Sequence, residues 1–234
     1  MHKGRDGRPR KPNGPPPESQ YESVHLAKEV VAELRATARP GKGDILVKVF
    51  AEAVAAFAAE DFEEAVRLGE QAKHIALRAI GPREFLGLAY YKLGRFRDAA
   101  RELAAFRRLS GSTDQNPVLA DSYRALEKPD KALTYVDEVT RAAPPEVYYE
   151  SQIVAAGALS DMGRTAEAIA RLETLDLDPV VAEPHHVRAW YALGDLLERS
   201  GRFTQARDLF EAADSADPGA TDAGSRADRL RASR

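Results

Sequence analysis

The chain has 234 residues, with 34 Lys and Arg against 37 Asp and Glu, a net charge of −3 and no cysteine. Its 44% hydrophobic and 30% charged content is that of a folded, soluble protein, and the lack of cysteine excludes disulfides, thiolate metal sites and Cys nucleophiles. The longest uncharged run, Ser151 to Ser160, is about half of the roughly 20 apolar residues that a helix needs to cross a bilayer, so a cytoplasmic protein without a membrane span is expected.

In chain order, residues 1–17 hold five prolines and five basic residues against one acid, a segment expected to be disordered. Residues 18–43 read as a helix over 21–38, with Val24, Val31, Leu34 and Ala38 on one side, closed by the breaker Arg39-Pro40-Gly41-Lys42-Gly43. From there apolar residues recur at spacings of three and four, and none alternate with period two. Helices are expected in pairs: 44–59 with 62–79, 82–93 with 96–109, 116–126 with 129–142, 146–162 with 164–174, and 184–200 with 202–216. Pro82, Pro117, Pro129 and Pro184 fall near helix starts, where a missing N–H costs little. A last helix is expected over 221–232, within a closing segment 221–234. Residues 226–234 carry four arginines and one acid, so two basic ends flank a body, 18–225, with 25 basic and 35 acidic residues.

The second helices align on Ala65, Ala99, Ala132, Ala168 and Ala206, at spacings of 34, 33, 36 and 38 residues. A period near 34 is that of stacked helical hairpins. The surroundings repeat too: Gly94-Arg95-Phe96, Gly163-Arg164-Thr165 and Gly201-Arg202-Phe203 each precede the alanine, with Glu60-Asp61-Phe62 and Glu127-Lys128-Pro129 as forms lacking glycine. Glycine ends the first helix in the left-handed region, the aromatic fills the corner, and alanine lets the second helix approach closely. On this pattern Trp190, Tyr90, Tyr123, Phe96, Phe203 and Phe210 are core residues.

The fifth pair, with Trp190, Leu193, Gly194, Leu197, Gly201, Phe203, Ala206, Phe210, Ala213 and Pro218, resembles the tetratricopeptide repeat (TPR) consensus. Only its usual tyrosine is replaced, by Leu197. The second pair (Leu86, Gly87, Tyr90, Gly94, Phe96, Ala99) and the third (Leu119, Ala120, Tyr123, Ala132) resemble it as well, and the arrangement is similar to that of small actinobacterial TPR proteins. The resemblance implies an all-α, right-handed α-solenoid of five hairpins over 44–220, with an extra N-terminal helix and a C-terminal capping helix.

No catalytic or ligand motif has supporting context. Gly41-Lys42-Gly43-Asp44 lacks the strand and spacing of a phosphate loop. Glu70 and His74, one helical turn apart, lack a third ligand; His185 and His186 point apart and read as first-turn surface residues. No enzyme, cofactor or metal is expected. Function is expected on the concave face, formed by the first helices. The first pair would offer Phe50, Val54 and Phe57 there. Candidate partner-binding residues in the later pairs are Glu84, Tyr91, Asp114, Asp121, Arg124, Asp161, Arg188, Tyr191 and Asp195. Acids outnumber bases on this face, which favours a basic, partly apolar peptide. The Lys, Asn and Arg ring that holds acidic C-terminal peptides in co-chaperone TPR domains is missing. The reading is an adaptor or scaffold for a protein or peptide partner; the alternative is an RNA- or ribosome-associated factor acting through its basic ends.

Overall fold

A computed structural model describes residue 21 and residues 24–232; the Pro-rich segment 1–17 lies outside the described residues. Twelve α-helices and no strand occur among them. Helix α1 (Lys28–Thr37) precedes five hairpins: α2 (Gly43–Ala58) with α3 (Phe62–Ile75), α4 (Gly81–Lys92) with α5 (Phe96–Ser110), α6 (Asn116–Ala125) with α7 (Pro129–Val136), α8 (Pro145–Asp161) with α9 (Thr165–Leu172), and α10 (Pro184–Arg199) with α11 (Phe203–Ala216). Helix α12 (Ala223–Ala232) closes the array. Each second helix packs on the next first helix, and successive first helices also lie against each other, so the chain is a solenoid of neighbours.

The five aligned alanines are all fully buried. Within hairpins the helices also meet closely: a methyl group added to Gly194 would fall 2.8 Å from the Phe210 ring. The turns behave as the pattern requires, with Gly94, Gly163 and Gly201 at φ of +69°, +74° and +76°. Glu60 and Glu127, at the two turns that lack glycine, adopt the same region at +60° and +58°.

Three helices are shorter than expected, each for a local reason. Helix α1 starts at Lys28 instead of 21, because the Tyr21 hydroxyl donates to Asp61 at 2.7 Å and Ala27 is extended. Helix α3 ends at Ile75, since Glu33 of α1 accepts the Ile80 N–H at 2.8 Å and the link between them buries Ala76 and Ala79. Helix α7 ends at Val136; beyond it the Thr140 hydroxyl accepts the Ala142 N–H, a side-chain bond that competes with the helix.

Two expectations about the core are corrected. Phe203 is 55% exposed, whereas Phe62 and Phe96 pack against Phe57 and Tyr91, the rings five residues earlier. Glu198 occupies that place ahead of Phe203, so the corner has no aromatic wall. His186 is buried, not on the surface. It packs on Tyr149 and Trp190, and its Nδ1 accepts the Glu183 N–H in a capping box.

Candidate functional site

The inner face is open only over part of the array. At its N-terminal end Phe50 is buried, with its ring 5.4 Å from that of Phe85, and Phe57 packs on Phe85 as well. Helix α1 adds Leu34 to the same core as Phe50. Phe50 is therefore packing, and the first hairpin offers no aromatic ladder to a ligand.

From α4 onward polar side chains cross-link the inner face between hairpins. Tyr91 donates to Asp121 at 2.5 Å. Arg124 donates to Asp121 at 2.8 Å on its own helix and to Asp161 at 2.9 Å on α8. Burial works against the charge of Arg124, but Asp161 and Asp121 outweigh it and hold the guanidinium above its ordinary pKa. Burial and the bond to Asp121 raise the Tyr91 hydroxyl, which stays protonated as the donor. The pattern recurs one end further on: Tyr191 donates to Asp222 at 2.8 Å, and Arg226 of α12 binds Asp195 at 2.9 Å and also Glu198. Arg226 lies 4.3 Å from the Phe210 ring centroid, a cation–π contact.

Two cavities flank Arg124. One, about 610 Å³, is lined by Asp121, Arg124, Glu127, Pro129 and Asp161. The other, about 320 Å³, runs between α8 and α10 with Ile153, Ala156, Ala192 and Leu196 along its floor and Asp161, Tyr191, Asp195 and Arg199 at its edges. Both are lined by Arg124 and Asp161, so they adjoin along the inner face with a guanidinium at their boundary, and the two are treated together as a groove. Gly157 makes room for the divider, because a methyl group there would collide with the Arg124 head.

The structure thus gathers five of the sequence-expected residues, Asp121, Arg124, Asp161, Tyr191 and Asp195, around one groove, with Tyr91 hydrogen-bonded to its rim. Glu84 and Arg188 stand apart from it, engaged by Gln115 and Glu150. Asp114 lies in the turn ahead of α6, exposed, with its backbone N–H donating to Ser112. Gly157, Glu127 and Arg226 also belong to this face, although residue type alone does not mark them. The recurrence of an acid 30 residues after Tyr91 and 31 after Tyr191, close to one repeat length, marks Asp121 and Asp222, and through Asp222 the helix that carries Arg226.

Elsewhere, Glu102 is 1% exposed and is held by Lys73 at 3.1 Å and Arg83 at 2.6 Å, an ion cluster joining α3, α4 and α5. No group of three or more metal-ligating side chains and no helix long and apolar enough to span a membrane occur among the described residues.

Residues 153–221 match the tetratricopeptide repeat family model. No curated protein matches the sequence. Among solved structures, a thermophilic TPR protein of Thermus thermophilus superposes with a TM-score of 0.62 at 18% identity, over 80% of this chain and 99% of that one. PilW, described as a widely conserved type IV pilus biogenesis factor, gives 0.64 at 15%, over 81% and 91%. YrrB, described as a TPR protein with an unusual peptide-binding site, gives 0.52 at 17%, over 79% and 90%. At these identities the likeness is one of fold. Residues 153–221 thus match the tetratricopeptide repeat model, and the array that contains them shares the all-α hairpin fold of these TPR structures.

Proposed function

We propose that the chain is a non-enzymatic adaptor that binds a segment of a partner protein along the groove between α6, α8 and α10. The observation that carries this reading is the groove itself: an apolar floor of Ile153, Ala156, Ala192 and Leu196, edged by charged and phenolic groups, on the inner face of the array. Such a surface buries apolar side chains of an extended segment while its edges fix register. The peptide-binding site named for YrrB is a property of that protein; it makes a peptide a reasonable ligand class for this one. The RNA reading draws less support, because within the basic C-terminal segment Arg226 is engaged by Asp195 and Glu198, and Arg231 by Glu211 and Asp228.

Photo-crosslinking tests this reading. With benzoylphenylalanine at Arg199, exposed at the groove edge, the full chain should crosslink one or a few proteins in cytosol from its source. The same group at Ala170, exposed on α9 away from the groove, should not. Equal yields from the two positions, or crosslinks from Ala170 alone, contradict the reading.

A further inference from the structure

The charge and shape of the groove also specify what kind of segment fits it. Side chains lining the two cavities include four carboxylates, Asp121, Glu127, Asp161 and Asp195, and two guanidinium groups, Arg124 and Arg199. The excess of negative charge is concentrated in the larger cavity, where three of the carboxylates face Arg124 alone. Asp121 and Asp161 share that guanidinium, whereas Glu127 pairs with no basic group among the described residues. Its place is fixed by the left-handed turn that ends hairpin three's first helix, with φ of +58°.

The smaller cavity has the opposite character. Its floor is apolar, and the two charges of its outer edge already satisfy each other, with Arg199 2.8 Å from Asp195. An apolar side chain therefore suits one compartment and a cation the other. The divider between them, Arg124 seated over Gly157, belongs to both.

We propose, building on the partner-binding reading above, that the groove selects an extended segment with a bulky apolar residue and, on the same side of the strand, an arginine or lysine. The apolar residue occupies the floor between Ile153, Ala192 and Leu196. The cation enters the larger cavity against Glu127 and the outer edges of Asp121 and Asp161. In an extended chain residues i and i+2 share a face, so the minimal pattern is apolar-x-basic. An acidic residue in the basic place would meet the unpaired Glu127 in a cavity where three carboxylates face one guanidinium, which makes the selection one of rejection as well as attraction. Screening weakens such exposed pairs, so the discrimination fades as salt rises.

Fluorescence anisotropy with the full chain tests the proposal. The probes are four labelled, acetylated and amidated octapeptides in a Gly/Ser frame, with Leu-Ser-Arg, Leu-Ser-citrulline, Ser-Ser-Arg or Leu-Ser-Glu at the centre. Citrulline keeps the shape of arginine and removes its charge. Leu-Ser-Arg should bind saturably, and each of the citrulline and Ser-Ser-Arg peptides at least about fivefold more weakly. Leu-Ser-Glu should not bind. Glu127→Gln should weaken Leu-Ser-Arg while leaving Leu-Ser-citrulline unchanged, a difference that misfolding would not produce. Equal affinities for arginine and citrulline, binding of the Glu peptide, or no saturable binding by any of the four overturns the proposal. Crosslinking from Arg199 that persists in that event leaves the partner-binding reading standing without this selectivity; loss of both removes the reading too.

Discussion

Ala206 is fully buried within the last hairpin, in a core that includes Phe210 and Leu193. Ala206→Leu inserts volume into this core and should cost about 1–3 kcal/mol in chemical denaturation. Unchanged stability would show that the two helices tolerate separation. The turn residue Glu60 presents the reverse case. Its φ of +60° strains a residue that carries a Cβ, while glycine gives back part of the relief through the freedom of the unfolded chain. Glu60→Gly should therefore raise stability by about 0.5–1 kcal/mol, and a loss would mean that the Glu60 side chain contributes more than its backbone costs. Glu102 supplies a pH dependence. Burial alone would raise its carboxyl, but hydrogen bonds from Arg83 and Lys73 prevail and hold it below the usual range. With the folded value below the unfolded one, the stabilisation is complete above the ordinary carboxylate pKa near 4.5 and is lost as pH falls toward the depressed value. Glu102→Gln should thus cost about 1.5–3 kcal/mol at pH 7, and the gap from wild type should narrow below about pH 4. A gap that does not change with pH would show that the ion cluster is not what stabilises this site.

At the level of helices, the hairpins were legible in the sequence because one device repeats: a left-handed residue, then an alanine five positions on, once per repeat. Gly94 with Ala99, Gly163 with Ala168 and Gly201 with Ala206 show it, and Glu60 with Ala65 and Glu127 with Ala132 keep the geometry without the glycine. Helix ends were less legible, since they depend on bonds between residues far apart in sequence, such as Glu33 to Ile80 and Tyr21 to Asp61. The same distance hid most of the groove's wiring. Residue types marked Asp121, Arg124 and Asp161 as candidates, but only packing shows that Gly157 leaves space for the Arg124 head. Helix α12 illustrates both points. It takes the place of a sixth first helix: Asp222 meets Tyr191 as Asp121 meets Tyr91, and Arg226 reaches back to Asp195 and Glu198. The Arg226 side chain is only 11% exposed. Arg226→Ala removes the partner of two carboxylates and should cost about 1–3 kcal/mol. Amide exchange should speed up in α12 and the end of α10 and stay unchanged in α2 to α5, because contacts are between neighbours. Uniform acceleration along the chain would contradict the nearest-neighbour picture.

Over the whole molecule, the N-terminal part of the inner face is spent on packing, with Phe50, Phe57 and Phe85 against one another and α1 alongside. The C-terminal end is spent on α12. Between them the groove of α6, α8 and α10 stays open, and partner binding is proposed there. Amide hydrogen exchange of the full chain, with and without the partner captured from Arg199, measures that most directly. Exchange should slow in residues 121–129, 153–161 and 191–199 and stay unchanged in 165–171 and 203–216. Protection confined to α9 and α11 would contradict binding in the groove.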